Sequence, residues 1–400
     1  MKASPSSVVA IIPARGGSKR IPRKNLLPLA GLPLVAHSIA HALQSRHVSE
    51  VHVSTDDPAI AELARARGVR VVTRPPDLAS DAASSESVLL HALDERLKQG
   101  LADPDLVVFL QCTSPVRRPD DIDKAIETML STGADSLFSA REFNRLIWGS
   151  KNGRLESLNY DFQARRREQE MAKQYQENGS IYVFRPAILR RDHNRLGGKI
   201  AVHEMDYLQS FQIDAPEHCR LIEWIMTQPG YKPRLDWPEK IRLVVLDFDG
   251  VMTDNRVLVT EAGGEAVTCC RDDGLGIERV LKARVPIMVL STETNPVVAS
   301  RCAKLSIACH QGVRDKAEYL SAYLRKHGVE ASHVVYAGND INDLGCLKMA
   351  GMPVAVADAH PSVVAVSKLL LSRNGGHGAV RELCDRLLAH LEESGGNGKS

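Results

Sequence analysis

The chain has 400 residues, 44% hydrophobic and 25% charged. That is an ordinary globular composition with room for two or three domains, at a prior of about 150 residues each. A formal net charge of +2 excludes a general nucleic-acid or membrane-surface role, so basic clusters have to be read as local sites. No apolar run approaches the roughly 20 residues that span a bilayer, no signal-like segment opens the chain, and the cysteines form no CxxC pair. These features point to a cytoplasmic protein with reduced thiols.

Strand-like and helix-like runs alternate from the start. Val8–Ile12 reads as a buried strand and the amphipathic Leu34–Leu43 as a helix. Val51–Ser54, Ala59–Arg67, Arg70–Thr73, Glu86–Leu97, Leu106–Leu110, Ile122–Leu130 and Ser136–Ser139 continue the alternation. This βαβ rhythm predicts a mostly parallel sheet with helices on both faces, whose ligands bind beyond the carboxyl ends of the strands. The loop Pro13–Asn25 directly follows the first strand and holds Gly16, Gly17 and the cations Arg15, Lys19, Arg20, Arg23 and Lys24. Glycine backbone N–H groups beside fixed positive charge suit a polyphosphate, although GxxxxGK[ST] is absent. On chemistry alone the loop is either a phosphate cradle or a basic surface loop.

Between Arg141 and Gln176 the rhythm fades, and Arg165, Arg166 and Arg167 stand there in a row. Order returns at Asn178–Phe184, at Phe211–Asp214 and in the helical Pro216–Met226. Gln228–Pro238 carries prolines and a glycine and reads as a linker. Residues 1–227 are therefore one expected domain and 239–393 the other, with a disordered tail at 394–400. The second half restarts the alternation at Ile241–Leu246. Strands are predicted at Val257–Thr260, Pro286–Leu290, Val334–Ala337 and Met352–Ala355. Helices are predicted at Gly276–Arg284, Pro296–Leu305, Asp315–His327, Asp343–Met349 and Ala379–Leu391.

Ala14–Lys19 with Pro22, Lys24 and Asn25 resembles the signature loop of the sugar-activating cytidylyltransferases that make CMP-sialic acids and related CMP-nonulosonates. Val53–Asp56, Ala79–Ser85, Gln111–Pro115 and Glu177–Ser180 are similar to further segments of that family, in the same order. The resemblance covers most of residues 6–226 and implies a Rossmann-like nucleotidyltransferase domain. In it the anomeric hydroxyl of a sugar acid attacks the α-phosphate of CTP and releases pyrophosphate. By position, Arg15 and Lys19 bind the triphosphate and stabilise charge moving to the leaving group. Gly16, Gly17, Lys24, Asn25, Arg74 and Ser85 match nucleotide contacts, and Gln111 and Asn178 fall where the family holds the sugar. The resemblance gives Arg166, or a neighbouring arginine, the sugar carboxylate, which a guanidinium fork fits. Mg²⁺ on the triphosphate is implied at Asp214; the family often has a second aspartate where this chain has Gln212.

Asp247, Asp249 and Gly250 follow an apolar strand as DxDG. One carboxylate can attack phosphorus while the second acts as acid and base, although the motif can also be an acidic turn. With Ser291, Lys316 and Gly338–Asp343 it resembles the haloacid-dehalogenase-like phosphatases. Arg271–Ile277, Val354–Pro361 and Gly375–Arg381 look like the Kdo-8-phosphate phosphatase branch, which is capless and tetrameric. That resemblance implies Asp247 as nucleophile and Asp249 as general acid and base, with Ser291 and Lys316 on the phosphoryl group. It implies Mg²⁺ at Asp247, the carbonyl of Asp249 and Asn339, with Asp343 behind them. The expected fold class is α/β, a Rossmann-like domain and a capless haloacid-dehalogenase-like domain. The expected partners are CTP and a nonulosonic acid or its 9-phosphate, without nucleic acid or membrane, in a homo-oligomer assembled through the second domain. The rival expectation makes that domain a non-catalytic assembly module. His37, His41, His91 and Cys112 have no ligand spacing or catalytic partner and read as packing residues.

Overall fold

The computed structural model describes residues 5, 7–18, 20–80, 82–228, 230–231, 235 and 237–396. Over these, the chain gathers into two compact units. The first takes Met1–Pro22, Ser38–Ser54 and Val72–Lys232, and the second takes Arg23–His37, Thr55–Val71 and Pro233–Ser400. Among the described residues all eight cysteines are free thiols, and no helix is long and apolar enough to cross a membrane.

A seven-stranded sheet runs in the order Ile200–Glu204, Ser136–Glu142, Tyr175–Phe184, Leu106–Leu110, Val8–Pro13, Glu50–Thr55 and Arg70–Thr73. Val8–Pro13 pairs in parallel with both neighbours, as uninterrupted apolar runs buried on both faces require. Tyr175–Phe184 instead lies antiparallel to both of its neighbours and shifts register between Glu177 and Tyr182. That reversal brings Glu177 and Asn178 to the same end of the sheet as the loops that follow the parallel strands. Val9, Ile11, Val107 and Phe109 pack with Leu89 and Leu93 of the helix Ser85–Lys98 in one buried cluster. Within the stretch lacking rhythm, the structure has a two-stranded hairpin, Trp148–Lys151 with Arg154–Ser157. Phe211–Asp214 belongs to no strand; Ile213 N–H donates to the Thr113 carbonyl at 2.8 Å.

The second unit holds a six-stranded parallel sheet in the order Ala308–His310, Ile287–Leu290, Leu243–Leu246, Val334–Gly338, Met352–Ala355 and Leu369–Leu370. Its central strand shows how a short apolar run becomes a core. Val244 and Leu246 face one cluster with Ile277 and Val380, while Leu243 and Val245 face another with Leu320 and Tyr336. A hairpin, Thr253–Val259 with Glu265–Cys269, projects beside it, and its Val257, Leu258 and Val259 are exposed. The last helix runs from Ala379 to Gly396, so part of the stretch expected as a tail is helical. Residues 397–400, and 229, 232–234 and 236 of the expected linker, lie outside the described residues.

Candidate active sites

In the first unit, three strands of the sheet end together. Ala14 N–H donates to the Ser54 carbonyl at 2.9 Å, joining the loop after Val8–Pro13 to the end of Glu50–Thr55. Arg74, buried after the third of these strands, reaches the same place: Nη2 is 2.8 Å from the Ser54 carbonyl oxygen and Nε is 3.3 Å from its Oγ. Arg15 and Gly16 are half-buried and Gly17 is exposed at this end. Lys19 lies outside the described residues. Lys24 and Asn25 sit on the short helical turn Lys24–Leu26, which belongs to the second compact unit, with Asn25 buried. Ser85 opens the helix Ser85–Lys98, where Ser84 Oγ accepts from Ser87 N–H at 3.1 Å. A helix start of this kind carries the positive end of the dipole and orphan N–H donors.

A second group of predicted residues meets around Gly179. Its φ of 65° is left-handed, and a Cβ there would stand 2.5 Å from Gln111 Oε1 and 2.8 Å from Gln212 Nε2. Only glycine lets both glutamines close in. Gln212 Nε2 donates to the Asn178 carbonyl at 2.7 Å, and Ser114 Oγ donates to the same oxygen at 3.1 Å. The Asn178 side chain is buried: Oδ1 accepts from Ser139 Oγ at 2.6 Å and from Ser180 N–H at 3.2 Å. Its amide therefore fixes the turn, and its main chain is what anchors Gln212. Fully buried Arg117 completes the arrangement, donating through Nη2 to the carbonyls of Gln111 and Ser180, both at 2.9 Å. Asp214 lies 4.0 Å from Nη1 of Arg20, which places it beside the loop of the first strand. Arg166 and its neighbours Arg165 and Arg167 are exposed, on the stretch after the hairpin.

The second unit's candidates converge more tightly. Asp247 directly follows the strand Leu243–Leu246 and Lys316 begins the helix Lys316–His327, both buried. Lys316 Nζ lies 2.7 Å from Asp247 Oδ1 and 2.8 Å from Asp343 Oδ1. Asp343 also accepts from Tyr336 OH at 2.7 Å, Asn339 N–H at 3.0 Å and Asp340 N–H at 3.3 Å. Burial, with the Asp343 charge adding to it, pushes the Asp247 carboxyl up, and Lys316 opposes that rise. Burial alone would lower the Lys316 ammonium, but the two carboxylates outweigh it and hold it above its ordinary value. Burial, then the charge of Glu293, raises Asp249, which favours the protonated form a general acid needs. Ser291, buried at the end of Ile287–Leu290, accepts from Glu293 N–H at 3.0 Å.

Asp247, Asp249 and Asn339 line one cavity of about 240 Å³ with Asn255 and Thr292. Asn339 Oδ1 is buried there without a hydrogen-bond partner. An orphaned amide oxygen on a residue that shares a cavity with two aspartates supplies a donor set for a hard divalent cation, so these residues fit Mg²⁺. The fit rests on mixed donors, because among the described residues no group of three or more His, Cys, Asp or Glu is placed to hold a metal. Gly250 makes the approach possible: with φ at 79°, a Cβ there would stand 1.9 Å from Asn339 Nδ2.

Sequence reasoning passed over Asn255 and Tyr336. Asn255 adopts a left-handed φ of 61° and lines this cavity and a second one of about 280 Å³. The signal was available, since asparagine tolerates that conformation and follows closely on the DxDG motif. Tyr336 sits in an apolar strand with nothing in its surroundings to mark its hydroxyl.

Two family models match the chain, one described as cytidylyltransferase over residues 9–236 and one as haloacid dehalogenase-like hydrolase over residues 304–383. The N-acylneuraminate cytidylyltransferase A of Danio rerio is 32% identical over 389 residues, covering 95% of this chain and 88% of the relative. The 3-deoxy-D-manno-octulosonate 8-phosphate phosphatase KdsC of Escherichia coli K12 is 36% identical over 151 residues, 38% of this chain and 80% of the relative. Among solved structures, the 3-deoxy-D-manno-octulosonate 8-phosphate phosphatase of Moraxella catarrhalis aligns with 31% identity and a TM-score of 0.37. It covers 37% of this chain and 86% of that one.

Proposed function

Because the chain belongs to the N-acylneuraminate cytidylyltransferase family and carries a haloacid-dehalogenase-like hydrolase domain, we propose that it is bifunctional. The first activity couples CTP to a sialic-acid-type sugar acid, giving the CMP-sugar acid and pyrophosphate. The second hydrolyses the sugar acid's 9-phosphate to the free acid the first consumes. The observation that carries the second activity is the intact Asp247–Lys316–Asp343 network beside the orphaned Asn339 Oδ1. An assembly module has no need to bury two carboxylates on one ammonium, an arrangement costly to desolvate.

In the phosphatase reaction an Asp247 carboxylate oxygen attacks phosphorus and forms an aspartyl-phosphate as the ester oxygen departs. Asp249 donates its proton to that leaving oxygen, then takes one from the water that hydrolyses the aspartyl-phosphate. Lys316 and Ser291 hold the phosphoryl oxygens, and the Lys316 charge opposes the rise that burial and Asp343 impose on the Asp247 carboxyl. Mg²⁺, when bound at Asp247, the Asp249 carbonyl and Asn339, supplies charge neutralisation for the phosphate. Asp343 fixes Lys316 in place.

In the transferase reaction the anomeric hydroxyl of the acid attacks the α-phosphate, and Arg15, with Lys19 by resemblance, draws the charge that develops on the departing pyrophosphate. Gly16, Gly17, Arg74 and Ser85 hold the nucleotide in this reading; Lys24 and Asn25 are assigned to it by resemblance alone. Gln111 holds the sugar, Asn178 acts through the turn it fixes, and Arg166 takes the carboxylate. Asp214 is the residue that would hold the Mg²⁺ accompanying CTP, by resemblance. Assembly as a homotetramer in the cytoplasm belongs to the same proposal by resemblance; the exposed Val257, Leu258 and Val259 of the second unit offer an apolar surface for association.

The test measures both products on one preparation. Wild type releases phosphate from a nonulosonic acid 9-phosphate in a Mg²⁺-dependent way, and pyrophosphate from CTP plus the free acid. Asp247→Asn keeps the second and loses the first. Phosphate release surviving in that variant contradicts the assignment of the nucleophile.

A further inference from the structure

A partly buried charge cluster in the first unit stands apart from the residues assigned so far. Arg195 Nη1 contacts Glu86 Oε1, and its Nη2 lies 3.7 Å from Glu177 Oε1. Tyr182 OH donates to that same Glu177 oxygen. The Arg195 guanidinium lies 4.3 Å from the centre of the Tyr182 ring and 5.7 Å from that of Phe109, and these two rings stack at 5.3 Å. Its side chain is 19% exposed, that of Glu86 18% and that of Glu177 43%. One planar fork thus bridges two carboxylates over an aromatic floor, a geometry that a flexible lysine does not reproduce.

The two acids sit at informative places. Glu86 lies in the first turn of the helix Ser85–Lys98, next to Ser85, the residue assigned to the nucleotide. Glu177 directly precedes Asn178 and Gly179, around which Gln111 and Gln212 gather for the sugar. Arg195 is therefore the side chain that spans from the nucleotide half of the first site to its sugar half.

We propose that Arg195 is a positioning residue for cytidylyl transfer, holding the start of the helix Ser85–Lys98 and the Glu177–Gly179 turn in register so that the two substrates meet in line. This rests on the transferase reading above. Arg195 acts through Glu86 and Glu177 in this reading and not on the reacting atoms themselves. Its effect is on the approach of the sugar hydroxyl to the α-phosphate, where a misplacement of about 1 Å costs roughly 100-fold in rate.

The experiment is steady-state pyrophosphate release by the full chain with CTP and a nonulosonic acid that wild type turns over, for Arg195→Gln and Arg195→Lys. Both variants are expected to lose roughly 100-fold in kcat with a raised KM for the acid, while CTP alone binds as it does to wild type. Arg195→Lys is expected to recover the melting temperature without recovering kcat. A merely structural role gives the opposite pattern: kcat falls with the melting temperature, both KM values stay put, and lysine restores everything. That pattern, or unchanged constants in both variants, overturns the inference while leaving the transferase reading intact. A wild type that releases no pyrophosphate with any acid of a nonulosonic panel removes the transferase reading and this inference with it.

Discussion

The two candidate centres are built in opposite ways. In the second unit the proposed nucleophile Asp247 is buried and already paired with Lys316, which also meets Asp343, with Tyr336 behind them. In the first unit the cations assigned to CTP come from a glycine-bearing loop at the end of a strand, where Arg15 is half-buried and Gly17 exposed. A small phosphoryl group can be met by a rigid centre. A triphosphate has to be wrapped, and a loop can move to do so. Catalysis and fold stability should therefore be coupled in the second unit and separable in the first.

Lys316→Met is the strongest way to break that contrast. It leaves Asp247 and Asp343 buried without their cation, which is expected to cost about 3–5 kcal/mol of stability together with phosphatase activity. Calorimetry should show the second unit melting earlier while pyrophosphate release at low temperature persists. Arg15→Ala should do the reverse: a loss of about 100- to 1000-fold in CMP transfer, as for one removed charge-stabilising donor, with the melting profile and phosphate release unchanged. If both variants lower activity and stability alike, the contrast fails.

Asp273 sharpens the picture within the second unit. It is buried, with Oδ2 unpaired, and burial pushes its carboxyl up to about 6. A folded-state value above the ordinary 3.8 means that the fold prefers the protonated acid. Stability from this group is complete below the unfolded value and is lost as pH rises through about 6. Asp273→Asn should therefore gain on wild type by the order of 2–3 kcal/mol between pH 4 and 7, read as a flatter dependence of melting temperature on pH. Parallel curves would refute the assignment. The smallest effect is expected from Gly250→Ala, whose Cβ would collide with the Asn339 amide. It should raise the Mg²⁺ concentration for half-maximal phosphatase activity by about 10- to 100-fold, and an unchanged requirement would remove Asn339 from the metal's neighbourhood.

The architecture could largely be read from the chain, because strands buried on both faces are written as unbroken apolar runs such as Leu243–Leu246 and Leu106–Leu110. The hairpin Trp148–Ser157 was hidden for the converse reason: exposed on most of its surface, it carries no buried stripe to set a period. Ile200–Glu204 and the two-residue Leu369–Leu370 are too short or too mixed to stand out. At the sites, the DxDG motif pointed to Asp247, and the family resemblance added Lys316 and Asp343, whose convergence depends on a strand order that the sequence pattern did not supply. Contacts between side chains were beyond it. That Gln212 anchors the Asn178 carbonyl, or that Arg195 bridges Glu86 and Glu177, depends on rotamers and on the antiparallel turn of one strand.

The central claim is that one chain performs consecutive steps, and the most direct measurement supplies the intact protein with CTP, Mg²⁺ and a nonulosonic acid 9-phosphate as the only acceptor. The account predicts CMP-sugar acid with one phosphate and one pyrophosphate for each molecule made, and none from Asp247→Asn unless free acid is added. CMP-sugar acid formed from the free acid alone, with no phosphate released from the ester by wild type, would contradict it.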